Sequence, residues 1–149
     1  MKYACQVEIN LAIDQTVSLW ENENNFSEWQ DGFQSIVLLS GEHNMPKAQS
    51  LITLQQGKRK MELHETIISN NLPREKKALY EHIHTTYTQT TRFIKLEENK
   101  TLYISEVEYT QFNGFMIKIL AKVFPGMFKK QSQKWMEQFK TFAEGVNRN

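Results

Sequence analysis

Apolar and polar positions alternate from the first residues onward, with Tyr3, Cys5, Val7, Ile9, Leu11 and Ile13 on one side and Lys2, Ala4, Gln6, Glu8, Asn10 and Ala12 on the other. A period of two predicts a strand with one buried face. Asp14 then stands as N-cap of a short helix whose Val17 and Trp20, three residues apart, share a face. Asn25, with Glu28 three residues later, has the spacing of a capping box and predicts a second helical start leading into Trp29. From Phe33 to about Phe112, β-branched and aromatic residues recur in runs of roughly eight to twelve, separated by turn chemistry. The breaks fall at Gly41 through Pro46, Gln56-Gly57, Asn70 through Pro73, around Gln89, and at Glu98 through Lys100, and they predict six antiparallel strands. The period then lengthens. Met116, Leu120, Val123, Met127, Gln131, Trp135, Phe139, Phe142 and Val146 are spaced by threes and fours, the stripe of an amphipathic helix, with lysines 118, 122, 129, 130, 134 and 140 mostly filling the other side. Pro125-Gly126 interrupts the stripe and predicts a kink or short break before a long terminal helix.

One strand, two short helices, six strands and a long C-terminal helix make an α+β order, in which the helix covers one face of a curved antiparallel sheet of about seven strands. A helix laid across a strongly curved sheet does not have to fill the space beneath it, and gaps between such layers are where small-molecule pockets form. The 149 residues, 40% of them apolar, contain no internal repeat and no low-complexity linker, so a single domain over 1–149 is expected.

Composition removes several function classes. Cys5 is the only cysteine, which excludes an intramolecular disulfide and a cysteine-rich zinc module and fits a reducing, cytoplasmic setting. The first residues lack the unbroken apolar stretch of a secretory signal, and no apolar run approaches the roughly 20 residues of a bilayer span. Nucleotide binding is not expected, because the chain has six glycines and no Gly-x-Gly. Lys58, Arg59 and Lys60 beside Gly57 read as a hairpin end rather than a nucleic-acid surface. The net charge of +1 is segmental: residues 1 to 112 carry −4, whereas from Asn113 onward seven Lys or Arg face two Glu. Basic segments of this kind meet anionic lipid, nucleic acid or acidic partners, or form the solvated face of a helix packed on an acidic body. The solvated face is the plainer expectation, with peripheral membrane contact left open and no nucleic-acid partner.

The order of elements, together with Trp29 to Phe33, Leu39 to Gly41, Met61 to Ile67, Asn113 to Met116, Phe128 to Gln131 and Phe139 to Glu144, resembles the START-like (SRPBCC) superfamily, in particular a bacterial branch of it. The resemblance covers nearly the whole chain. It implies a helix-grip fold with a hydrophobic cavity between sheet and long helix. The superfamily includes cyclases, hydrolases, lipid and hormone carriers and co-chaperone domains, so the fold implies no single activity, and no shared catalytic motif is there to carry over.

Candidate chemistry is sparse. His82 and His84 lie two apart, which on a strand places them on one face with Tyr80. A His-x-His pair supplies two metal ligands, but a third is missing where Thr86, Thr88 and Gln89 stand, so pocket wall or solvent is the expectation and no metal or cofactor is assigned. No Gly-x-Ser-x-Gly elbow or other nucleophile motif occurs, so no catalytic residue is assigned either. Glu65 shares its strand parity with Met61, Leu63 and Ile67 and therefore points inward, unless the register changes. There it is a polar anchor paired with Tyr80, His82 or Arg92, or is held protonated. The expected cavity lining is Trp29, Phe33, Glu65, Tyr80, His82, Tyr103, Phe115, Met127, Phe128, Gln131 and Trp135, with a mouth near Phe33, Gly41 to Pro46 and Pro125-Gly126. The function this implies is binding or carriage of a small hydrophobic molecule, a lipid or polycyclic metabolite. Two alternatives remain at this point: a cyclase, dehydratase or hydrolase in which Tyr80, His82 and Glu65 move protons, and a protein-interaction module using the basic helix or a sheet edge. Oligomeric state is not legible.

Overall fold

The structure, a computed structural model, describes residues 1–146; Arg148, one of the basic residues counted above, lies outside them. Its elements run β1 (Lys2–Ile9), α1 (Ile13–Glu21), a 3-10 turn (Glu23–Asn25), α2 (Phe26–Trp29), β2 (Phe33–Ser40), β3 (Gln49–Gln56), β4 (Arg59–Asn71), β5 (Glu75–Glu81), β6 (Thr85–Glu97), β7 (Lys100–Phe112), α3 (Phe115–Val123) and α4 (Gly126–Val146). The strands form one antiparallel sheet in the order β1-β7-β6-β5-β4-β3-β2. Six of them are a meander. β1 is the exception, joining β7 at one edge while α1 and α2 carry the chain across to β2 at the other. This is the expected helix grip.

Local chemistry moves three boundaries. β1 stops pairing at Ile9, not Ile13, because the Leu11 carbonyl accepts the Thr101 hydroxyl at 2.8 Å and Ala12 takes the N-cap position of α1. Asp14 is thus one residue inside the helix, in the first turn, where its carboxylate still favours the positive end of the helix dipole. Asn25 does precede α2, but its side chain donates back to the Leu19 carbonyl at 3.2 Å instead of capping, so the expected capping box is not formed. The third change is the largest. β6 runs straight through Gln89, and the hairpin turn lies earlier, closed by the His82 N–H to Thr85 carbonyl bond at 2.8 Å and its reciprocal at 3.2 Å. Threonines 85, 86, 88, 90 and 91 surround Gln89, and that many β-branched residues keep the chain extended.

The main core fills one end of the grip. α4 packs chiefly along β1 and α2, with Met136, Phe139 and Ala143 buried against Cys5, Val7, Ile9 and Trp29. Phe139 is fully enclosed, its ring edge-on to Trp29 at 5.3 Å and to Tyr103 at 5.6 Å. Tyr103 stacks on Phe93 at 5.0 Å and accepts the Trp20 indole N–H at 3.0 Å, so its buried hydroxyl is satisfied. The far end of α4 is fastened to β1 by Glu144, which accepts the Asn10 N–H at 2.9 Å and pairs with Lys140 at 2.6 Å. A second cluster, Ile52, Leu54 and Leu63, holds β3 and β4 together at the other end of the sheet. Only part of the anticipated helical stripe is buried: Trp135, Phe139 and Phe142 pack inward, whereas Met116, Val123, Met127 and Gln131 are exposed. The break at Phe124-Pro125 separates α3 from α4.

Two substitutions test this packing. Phe139→Ala is expected to remove about 3–5 kcal/mol of stability in urea denaturation, the cost of a large cavity in a closed core. Gly32, at φ +80°, accepts the Gln55 N–H at 2.7 Å, and a Cβ there would stand 2.0 Å from the Gln55 carbonyl oxygen. Gly32→Ala is therefore expected to cost about 1–3 kcal/mol and to loosen the start of β2, visible as faster amide exchange at Gln55.

Candidate functional site

The strand registers place one continuous row of side chains across six strands of the concave face: Tyr109 (β7), Tyr87 (β6), Tyr80 (β5), Glu65 (β4), Ser50 (β3) and Leu38 (β2). The three tyrosine rings contact in sequence, at 5.2 Å between Tyr80 and Tyr87 and 4.8 Å between Tyr87 and Tyr109. Tyr109 meets Phe128 of α4 at 5.0 Å, and Tyr3 reaches the same helix through its hydroxyl, 2.8 Å from the Ser132 hydroxyl. An aromatic ladder thus leads from the start of α4 to the middle of the sheet. There it ends on charge.

The Tyr80 hydroxyl donates to Glu65 Oε2 at 2.8 Å. Of the three partners open to Glu65 from the sequence, Tyr80 is the one it meets, while Arg92 is engaged by Glu75 at 3.1 Å and Glu106 at 2.7 Å. Burial pushes the Tyr80 hydroxyl well above the ordinary tyrosine range, and the Glu65 charge adds to the rise. Tyr87 is raised by burial as well, with smaller contributions from Tyr3 and Glu65. Both hydroxyls stay protonated, so they act as neutral hydrogen-bond donors at any ordinary pH. Lys76 lies on the same face two rows away, past Ala78 and opposite Thr91 of β6. Burial lowers its pKa, an effect opposed by Glu65, Glu21 and Glu23. Its ammonium bonds Asn44 Oδ1 at 2.5 Å and stands 5.5 Å from the centre of the Trp20 ring.

Trp135 closes this region from above. It extends from α4 to the Ile52–Leu54–Leu63 cluster, on which Phe33, Ile36, Met61, Tyr80 and Tyr87 also pack. Its indole Nε1 is shut off from solvent and has no hydrogen-bond partner among the described residues. A buried N–H left unpaired costs about 1–3 kcal/mol; Trp29 Nε1, in the closed core, is likewise without a partner among the described residues.

The anticipated lining residues divide. Glu65, Tyr80, Trp135, Phe33 and Phe128 lie on or against the concave face. Trp29 and Tyr103 belong to the closed core around Phe139 and do not wall an open space. Phe115, Met127 and Gln131 are exposed, although their neighbour Phe128 packs on Tyr109 of the sheet. His82 is in the β5–β6 turn, its ring edge-on to that of His84 at 5.4 Å, so the grouping of Tyr80, His82 and Glu65 is not formed. No group of three or more metal-binding side chains occurs among the described residues. Two residues were missed, Tyr87 and Lys76. The misplaced break at Gln89 left the inward parity of Tyr87 unread, and a lysine on a buried face runs against the pattern from which faces are read.

Two open clefts lie outside this region. One of about 440 Å³ runs along α1 between Asp14, Glu21, His43 and Pro73, and one of about 420 Å³ lies between α2 and α4 at Asp31, Lys134 and Phe142. No helix among the described residues is long and apolar enough to cross a membrane.

No protein-family model and no curated protein sequence matches the chain. Solved structures do. The chain is similar to the Zhui aromatase/cyclase from Streptomyces sp. R1128, with TM-score 0.80 and 6% identity over 97% of this chain and 93% of that one. It is similar to Ara h 8.0201, with TM-score 0.72 and 8% identity over 96% and 97% of the two chains. It is also similar to norcoclaurine synthase from Thalictrum flavum in complex with dopamine and hydroxybenzaldehyde, with TM-score 0.69 and 14% identity over 95% and 85%. At such identities the likeness is one of architecture, and the architecture this chain carries is the helix grip.

Proposed function

We propose that the chain binds a small, mainly apolar molecule bearing at least one oxygen between the sheet and α4, and serves as its carrier. The observation that supports this most directly is the unpartnered Trp135 indole N–H, closed off beside the cluster on which Tyr80 and Tyr87 pack. An oxygen acceptor on the ligand takes that hydrogen bond. Glu65 spends one carboxylate oxygen on Tyr80 and keeps the other for a ligand hydroxyl or amine. The aromatic ladder from Tyr109 to Tyr80 offers flat apolar area, whose removal from water contributes about 25 cal/mol per Å². Two of the similar structures support the chemistry by analogy: one is an aromatase/cyclase and the other holds two aromatic compounds. With no nucleophile motif in the sequence, and His82 apart from Tyr80 and Glu65, carriage is favoured over turnover.

Native mass spectrometry of the purified chain is expected to show a hydrophobic adduct that denaturing extraction releases. Anilinonaphthalene sulfonate serves as a defined apolar probe. Trp135→Phe keeps the ring area and removes the donor, and it is expected to weaken probe binding about five- to tenfold, equivalent to about 1–1.4 kcal/mol. An adduct-free mass together with probe binding indifferent to both Trp135→Phe and Glu65→Gln would sink the carrier reading.

The tyrosines supply an independent check. All five have pKa values raised mainly by burial. A group whose folded pKa is raised contributes stability fully present below its unfolded value, here about 10, and lost as pH rises toward the folded value. Stability is therefore expected to fall above pH about 10 by up to about 1.4 kcal/mol per pH unit for each such tyrosine, and phenolate absorbance to appear together with unfolding instead of before it. Reversible phenolate formation in the folded chain near pH 10 would contradict the burial of the ladder.

A further inference from the structure

α3 has the composition of a buried helix and the position of an exposed one. Its sequence, Phe-Met-Ile-Lys-Ile-Leu-Ala-Lys-Val, is apolar around most of its circumference, yet none of its residues is buried. A helix apolar nearly all round belongs in a protein core or in lipid. Ile117, Leu120 and Ala121 lean partly inward, while Phe115, Ile119 and Val123, at steps of four, form an outward stripe together with Met116. Phe115 is 77% exposed and Met116 69%. The stripe continues into the next turn through Phe124 and Met127, both exposed. The β5–β6 hairpin adds to it: the Asn113 N–H donates to the His84 carbonyl at 2.7 Å, which brings the hairpin tip beside the start of α3, and Ile83 at that tip is 75% exposed. Two separate elements therefore present large apolar side chains at one end of the molecule.

Along α3 and the first turns of α4 the charge has one sign, while Glu81 stands at the foot of the hairpin that carries Ile83. Lys118 and Lys122 run alongside the stripe, Lys129 and Lys130 follow in the first turns of α4, and no Asp or Glu occurs between Asn113 and Met136. The remainder of the chain up to Phe112 is net acidic. An apolar ridge bordered by lysines is the arrangement of helices that lie in the headgroup layer of an anionic bilayer, apolar side toward the acyl chains and ammonium groups on the phosphates.

We infer that α3, with Phe124, Met127 and the Ile83 hairpin tip, docks on an anionic lipid surface. The helix lies in the plane of the interface and the rest of the chain stays in water. Contact between Tyr109, at the end of the aromatic ladder, and Phe128, just beyond this ridge, puts the concave face next to the docked end. The inference stands without the carrier reading, since it rests on α3 and the hairpin alone.

The test is vesicle flotation of the full chain with phosphatidylglycerol/phosphatidylcholine mixtures and with phosphatidylcholine alone. Binding is expected to the anionic vesicles, weakened by raised salt, and at least about tenfold weaker for phosphatidylcholine alone. F115S/I119S and, separately, K118E/K122E are each expected to reduce binding to anionic vesicles about tenfold or more. All four side chains lie on a helix without buried residues, so both variants are expected to keep the wild-type circular dichroism and melting temperature. The inference is overturned if the wild-type chain does not float with anionic vesicles, or if both variants float as well as wild type. It is equally overturned if the ridge is covered by a second copy of the chain, seen as a dimer in sedimentation that F115S/I119S dissociates while vesicle binding is absent.

Discussion

The seating of α4 on β1 is the constraint from which the remaining architecture follows. Ala143 is fully enclosed there, and its small side chain lets the helix approach the strand closely, while Phe139 inserts between Trp29 and Tyr103. The helix is held to β1 along its length: the Tyr3 hydroxyl donates to the Phe128 carbonyl, Cys5 to the Lys129 carbonyl, Gln133 to the Gln6 carbonyl, and Glu144 accepts from the Asn10 N–H. Over β3 and β4 the contact from α4 is made by a large ring, Trp135, which packs on the Ile52–Leu54–Leu63 cluster. The main core and the Ile52–Leu54–Leu63 cluster are separate, and a small third cluster of Ala48, Ile67 and Ala78 stands apart from both. Between them lie the polar residues of the concave face.

That middle zone carries groups that a pure packing core would exclude. Ser105, Thr91 and Lys76 stand in one row and Ser50, Glu65 and the tyrosines in another, with the row of Val107, Gln89, Ala78 and Ile67 between them. Each polar group here carries a desolvation cost that leucine or valine would avoid. Neutral tyrosines limit it, since their hydroxyls bond without ionising, and Glu65 offsets part of its own cost by accepting from Tyr80. A sheet interior tuned only for stability has no use for such a set, whereas the proposed carrier would use it to select among apolar molecules by a few hydrogen bonds.

Much of the fold was legible because it depends on period and punctuation. The alternation in β1, the breaks at Gly41 to Pro46, Gln56-Gly57, Asn70 to Pro73 and Glu98 to Lys100, and the interruption at Pro125-Gly126 all correspond to observed boundaries. The β5–β6 hairpin was not legible, because Ile83 and His84 carry none of the glycine, asparagine or proline that marks a tight turn, whereas the Gln89 region has no strong strand former at its centre. That one displacement sent His82 from the wall to the tip and concealed Tyr87. Glu65 could be placed, since Met61, Leu63 and Ile67 fix its parity without reference to a partner strand. The helical stripe misled at Phe115, Met127 and Gln131 for a different reason: periodicity identifies an apolar face but not whether anything in the same chain covers it.

The sheet order has a consequence for how the chain is made. β1 is synthesised first, yet its partner is β7, with Lys2 opposite Glu108 and Ile9 opposite Thr101. On the ribosome the meander from β2 onward can pair hairpin by hairpin as it emerges, but the first strand, with its buried-type face of Cys5, Val7 and Ile9, waits for residues 100–112 before it has an edge to join. Its covering helix arrives later still. Closing so long a loop is slow compared with forming local hairpins, and a waiting apolar strand is open to wrong pairings in the meantime. Of the seven strands, the one made earliest is among the last to find its place.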